Sequence, residues 1–278
     1  MADRACLRDG GRQPVRHHRG PGATVHLVAG ARMNDNRVLP VIGGLALLVL
    51  CWEGAIALFA IEPFVLPRVF DILARLLRDW PALAQGLMVT GAEALTGFVL
   101  GTLIGIATAV LMYLFPPFER GFLPVAVAVD AVPVVAFAPL ALLWFGMGPA
   151  SKITIVTLTV SFIVLLNTLH GLRQPDAAAV NLLRSFGASR PAILYRLLLP
   201  AAMPSVVTGM RLGIARCMIV ALLGEMLGAY RGLGWMIFEA TQQMDYLRLW
   251  ACVLFASGAS LLLYAVHVWI DRKLVWWH

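Results

Sequence analysis

The stretch from Asn181 to Pro200 reads NLLRSFGASRPAILYRLLLP and is the longest polar-bearing interruption in the apolar part of the chain. Its spacing predicts two short helices around a glycine. Leu182, Leu183 and Phe186 make an apolar stripe on the first, and Gly187 suits the left-handed conformation that ends it. Ser189 suits the cap of the second, with Pro191 tolerated in its first turn. Arg184, Arg190 and Arg196 hold the element at the water boundary, Ile193, Leu194, Leu197 and Leu198 face inward, and Pro200 opens the next apolar run. Composition alone favours a plainer reading, a positively charged loop between two membrane spans.

Spans are expected because hydrophobic residues make up 60% of the 278 and charged residues only 13%, with a mean hydropathy of +0.82. That is the make-up of an integral membrane protein, outside the range of soluble domains. The net charge of +7 does not point to nucleic acid, because most Lys and Arg flank apolar runs. Cys51, Cys217 and Cys252 sit within apolar runs and Cys6 in the N-terminal segment; none has metal-ligand spacing, and no disulfide is implied.

Residues 1–37 carry seven arginines and no helical or strand period, so they read as a disordered basic tail. The tail lacks the apolar core of a signal peptide. The abrupt change in composition at Met33 marks that residue as a candidate true start. Residues 38–278 then read as one all-α transmembrane domain with six spans. The first is Val38–Ile61, interrupted by Glu53. From Pro67 to Trp80 the apolar residues recur at helical spacing with charges around the remaining face, which predicts a helix lying along the interface. Thr90–Phe115 is the second span, with Glu93 near its start and Gly97, Gly101 and Gly105 on one face where another helix can approach closely. Phe122–Phe145, the third, contains Asp130 and is broken by Pro133 and Pro139, so it is expected to line a cavity or be buried in protein.

Lys152–His170 is the fourth span and Ala201–Gly228 the fifth, carrying Arg211, Arg216 and Glu225. At 100° per residue, Arg211 and Glu225 fall within about 40° of each other. Residues 229–247 read as an outer loop. Trp250–Ile270 is the sixth span, followed by Asp271, Arg272, Lys273, Trp276 and Trp277 at an interface.

Intramembrane charges are costly and default to function. Pro133, Pro139, Arg211 and Glu225 are the candidates for a translocation pathway, although interhelical pairing of Arg211 or Arg216 with Glu93 or Asp130 accounts for such residues equally well. Enzyme chemistry finds no support. The two lysines, Lys152 and Lys273, are followed by Ile and Leu, so no Walker-type phosphate loop exists. Asp130 is the lone aspartate inside a span, His170 and His267 have no partner at ligand spacing, and Ser205, Ser257 and Ser260 have no adjacent base. An ion-coupled secondary carrier, working without an ATPase, is the rival transport reading.

The glycine at 187 followed by Leu197, Leu199 and Pro200 resembles the cytoplasmic signature of permease subunits of binding-protein-dependent ABC importers. The likeness extends from about Leu66 to the C-terminus and is greatest to the nitrate, sulfonate and taurine branch. It rests on the order of Thr90, Glu93, Gly97, Phe98 and Gly101; Pro133, Pro139 and the run Leu143 to Gly148; Asn167 with Gly171 to Arg173; Thr208 to Leu212; and Glu225 to Gly228 with Gly232 to Gly234. In the family a Glu-Ala-Ala triplet precedes the glycine, whereas here those positions are Asn181, Leu182 and Leu183.

The resemblance implies a six-span permease in the bacterial inner membrane with both termini cytoplasmic. Residues 171–200 would be the loop that couples to the ATPase, through Asn181, Arg184, Ser185, Gly187, Ala188, Ser189, Leu197, Leu199 and Pro200. ATP and Mg would bind a partner ATPase dimer, a soluble binding protein would deliver a small solute such as nitrate, a sulfonate, taurine or a vitamin precursor, and a second copy would complete a homodimer.

Overall fold

The computed structural model describes residues 38–274. The N-terminal tail with its Met33 start and the terminal Trp276 and Trp277 lie outside the described residues. Every regular element among the described residues is helical: α1 Val38–Phe59, α2 Val69–Arg78, α3 Trp80–Leu114, α4 Pro116–Asp130, α5 Val134–Phe145, α6 Pro149–Arg173, α7 Ala177–Ser185, α8 Arg190–Ile193, α9 Leu199–Gly228, α10 Leu233–Gln242 and α11 Tyr246–Leu274. Among the described residues, those up to Leu50 and those from Cys51 onward group as separate units. Of the first, the described part is the start of α1, a helix whose apolar stretch is Gly43–Phe59.

In the second unit, α3, α6, α11 and the continuous run Arg190–Gly228 have the length and hydropathy to cross a bilayer. The expected third span is a pair, α4 and α5, bent by 98°. The bend has a local cause. Pro133 has no N–H to continue the ladder and disfavours helical geometry at Val132, so the chain closes α4 with a short Val132 N to Val129 O bond (3.2 Å) and restarts at Pro133, the N-cap of α5.

The bundle is centred on α3 packed against α6, with α9 against both. Gly97, Gly101 and Gly105 make this possible. A Cβ on Gly97 would lie 2.6 Å from Val156, and one on Gly101 would lie 2.8 Å from the Thr157 carbonyl oxygen and from Val160. Without a hydrophobic drive between helices in lipid, such close backbone approach is what holds two spans together. Gly101→Leu should therefore part α3 from α6. Overpacking of this kind costs about 1–3 kcal/mol, to be seen as a lower unfolding temperature of the detergent-purified protein. An unchanged melting curve would contradict this packing.

Apolar residues bury in three successive layers along the bundle. Ala109, Met112, Leu165, Leu169 and Leu172 join Ile193, Leu194 and Leu198 at one end. Phe98, Val156, Val160, Ile214 and Met218 fill the middle. Leu83, Leu233, Ile237, Cys252 and Ala256 close the other end.

The amphipathic helix expected after Pro67 is α2. Ile72 is buried while Phe70 and Leu77 stay exposed, so it packs on α11 with one apolar edge and leaves another outward. Glu53, which interrupts the first apolar run, accepts a hydrogen bond from Val69 N (2.8 Å) and so sits at the N-terminus of α2, where a carboxylate is favoured. Arg75 bonds both Asp79 and Asp245, each at 2.7 Å, and fixes α2 to the turn before α11. Residues 229–247, expected as loop, contain α10.

Candidate functional site

The connector after α6 begins with α7. Asp176 caps it by accepting from Ala178 N at 3.0 Å, a cap signal in the sequence that the spacing around Gly187 overshadowed. The helix ends as the sequence predicts. Gly187 has φ +79°, Gly187 N donates to Arg184 O (2.9 Å) and Ala188 N to Leu183 O (3.0 Å). Those two bonds are a Schellman motif, and the apolar contact that accompanies it is supplied by Leu183 and Ala188, both half-buried on the same apolar layer.

The second half differs from the expected short helix. α8 runs through a π turn, Leu194–Leu198, directly into α9, so Arg190–Gly228 is one helical run of 39 residues. Pro200 explains the widening. It cannot donate to the Arg196 carbonyl and its ring crowds that oxygen, and the preceding turn closes instead with Leu199 N on Leu194 O. Ser189 occupies the N-cap with extended backbone but makes no side-chain capping bond, and Pro191 lies in the first turn as expected.

The connector thus has two faces. Ile193, Leu194 and Leu198 are buried against the ends of α3 and α6, with Leu197 and Leu199 half-buried beside them. Arg173 at the end of α6 pairs with Glu119 of α4. Outward, Leu182 is 58% exposed, Phe186 79% and Tyr195 71%, and Asn181, Arg184, Ser185, Ser189, Arg190, Arg196 and Pro200 share that exposure. The Ser185 hydroxyl is turned back onto Leu182 O at 2.7 Å. A leucine and a phenylalanine four residues apart, ringed by arginines and standing clear of the bundle, form a surface that calls for a partner.

At the opposite end of the same helices lies a buried polar cluster. Glu225 is fully buried; it accepts from Thr90 Oγ1 at 2.8 and 2.9 Å and from Gly234 N at 2.7 Å. Thr90 Oγ1 in turn accepts from Leu233 N at 2.9 Å. Lys152, 1% exposed, donates to the carbonyls of Met147 (2.8 Å), Gly148 (3.2 Å) and Gly228. Glu93 is buried beside them with Oε2 lacking a partner among the described residues. The cluster joins α3, α6, α9 and α10. Lys152, which the sequence puts at the start of the fourth span, is thus buried, and carbonyls of three residues replace water around its ammonium group.

A cavity of ≈570 Å³ opens at the α4–α5 bend, between α3, α6 and α9. Pro133, Asp130 and Arg216 line it. Of the other pathway candidates, Pro139 is exposed on α5 outside the lining, and Arg211 and Glu225 are engaged elsewhere. Arg211 Nε donates to Asp271 Oδ2 at 2.9 Å, so Asp271 is a buried partner and not the interfacial charge expected from sequence. His267, 3.5 Å from Asp271, packs edge-on against Phe98. Arg211 and Glu225, close in angle on α9, belong to separate networks.

A helical bundle of membrane-spanning length, with a charged cavity inside and an apolar, arginine-ringed connector outside, defines a polytopic membrane transport protein. Residues 101–276 match the family of binding-protein-dependent transport system inner membrane components. The chain belongs to that family, whose members are permease components of ABC importers. It is 31% identical over 240 residues to a probable ABC transporter permease protein of Haemophilus influenzae, covering 86% of this chain and 98% of that one. It is 34% identical over 209 residues to the taurine transport system permease protein of Escherichia coli, covering 72% and 75%. Its fold is similar to a chain of the methionine ABC transporter in an inward-facing conformation, with a TM-score of 0.62, 18% identity, and coverage of 71% and 98%. The protein is accordingly a multi-pass membrane permease component, and the self-sufficient carrier reading gives way to family membership.

Proposed function

We propose that this permease crosses the bacterial inner membrane six times, through α1, α3, the α4–α5 pair, α6, α9 and α11, with both termini and residues 171–200 on the cytoplasmic side. Two copies assemble as a homodimer. Each connector docks on one subunit of a separate ATPase dimer that binds ATP and Mg, and a soluble binding protein delivers a small solute at the opposite face. The observation that carries this reading is the Leu182, Phe186 and Tyr195 surface: exposed outward, it is fixed beneath to α3, α6 and α9, so force applied to it reaches the spans.

In this reading Gly187, with Ala188 and Ser189, sets the angle between α7 and α8. Asn181, Arg184 and Ser185 face the ATPase, and Leu197, Leu199 and Pro200 transmit its movement into α9. The departure from the family triplet has a physical sense. Asn181 offers hydrogen bonds where the family has a glutamate, Leu182 adds apolar surface where it has an alanine, and Leu183 strengthens the apolar contact with Ala188. ATP binding favours one of two conformers and so shifts the cavity at Pro133 between the two sides.

A Ser189→Cys variant of a cysteine-free background tests the topology. A membrane-impermeant maleimide should label it in inverted vesicles and leave it unlabelled in intact cells; labelling from outside would overturn the arrangement. In proteoliposomes, uptake should require the ATPase and ATP, and uptake by the permease alone would end the coupling role.

A further inference from the structure

We infer that the cavity at the α4–α5 bend is a seat for a small zwitterionic solute, with an oxyanion end on Arg216 and an ammonium end on Asp130. The inference rests on the pathway reading above and gives it a substrate class. Arg216 arrives from α9 and Asp130 from the end of α4; both line the cavity, both are exposed, and neither takes part in an ion pair among the described residues. The two charges face one cavity without a direct salt bridge between them.

The hydroxyls along the walls sharpen this. Thr108 Oγ1 donates to Ile104 O at 2.8 Å, Thr159 Oγ1 to Ile155 O at 3.0 Å and Ser161 Oγ to Leu158 O at 2.9 Å. A hydroxyl whose proton is committed to its own helix presents lone pairs alone. The charged and hydroxyl groups of the cavity therefore comprise one cationic fork, the Arg216 guanidinium, and a set of acceptors. The complementary ligand carries anionic oxygens at one end and N–H donors at the other. A bare anion would meet the Asp130 carboxylate, and a bare cation would meet Arg216. Phe122, Phe137 and Phe162 complete the wall, and their faces attract an ammonium group.

Isothermal titration calorimetry on the full-length permease in lipid nanodiscs tests the seat with four probes: taurine, β-alanine, ethanesulfonate and ethylamine. The two zwitterions should bind at least tenfold more tightly than either half-molecule. Arg216→Gln and Asp130→Asn should each lower zwitterion affinity at least tenfold. Asp130→Asn should at the same time tighten ethanesulfonate binding, a gain that misfolding cannot produce. Equal affinity for zwitterions and half-molecules, zwitterion binding unchanged in both variants, or no zwitterion binding at millimolar concentration would overturn the inference. ATP-driven uptake in the reconstituted complex reads the coupling role separately: its absence in the wild type would overturn the proposed function, while the seat is decided by the calorimetry.

Discussion

Gly187→Val should abolish solute uptake by the assembled transporter while ATP hydrolysis continues and the permease still inserts in the membrane. The reason is backbone geometry. No atom lies within 4 Å of where a Cβ would stand, so the substitution meets no clash, but φ is +79°. A side chain in this left-handed region costs about 1–2 kcal/mol, and β-branching adds crowding at χ1. The strained turn relaxes by rotating α7 away from α8, which lifts Leu183 from Ala188 and breaks the two bonds that close the motif. Leu182 and Phe186 then no longer point where Tyr195 does. The control is Gly187→Asn, since asparagine adopts the left-handed region readily; it should retain most uptake although its side chain is as long as that of leucine. Wild-type uptake per ATP in the valine variant would remove Gly187 from the coupling role.

The second large effect is expected at Glu225. Glu225→Leu removes the acceptor for Thr90 Oγ1 and Gly234 N and leaves Lys152 with carbonyl partners and the Glu93 carboxylate alone nearby. Breaking a buried charge network by deleting one member costs about 3–5 kcal/mol. The variant should express poorly and unfold at a markedly lower temperature in detergent. Glu225→Gln keeps an oxygen for Thr90 and Gly234 and should lie much nearer the wild type. If leucine and glutamine melt together at the wild-type temperature, the cluster contributes nothing to holding α10 on the spans.

Much of this was legible in the sequence because lipid imposes simple rules. Apolar runs of sufficient length locate α3, α6, α9 and α11, and a four-residue glycine spacing announces the α3–α6 contact. Gly187 declares its own conformation, since few other residues take it. The bend was half visible: Pro133 marked a break, but whether a broken span kinks or folds back by 98° depends on packing against α6, which no local pattern records. The π turn was hidden because Pro200 after leucines reads as an ordinary helix start. α10 was masked by the glycines at its start, 232 and 234, which serve close approach to Glu225 as well as turning. Partners across the bundle were the least accessible. Arg211 finds Asp271 sixty residues away, and Lys152 finds carbonyls, which are anonymous in a sequence.

The glycine zipper has one further mechanical result. α3, 35 residues long, is a rod of about 52 Å, closely packed on α6 through Gly97, Gly101 and Gly105. On the proposed coupling role, load on the Leu182 and Phe186 surface reaches one tip of this rod pair, where Ala109 and Met112 pack, and Leu83 lies toward the other. A tilt of about 10° about the midpoint moves each tip by roughly 4 to 5 Å in opposite directions. Under that coupling role the pair acts as a seesaw: what is pulled together on one side of the membrane is prised apart on the other.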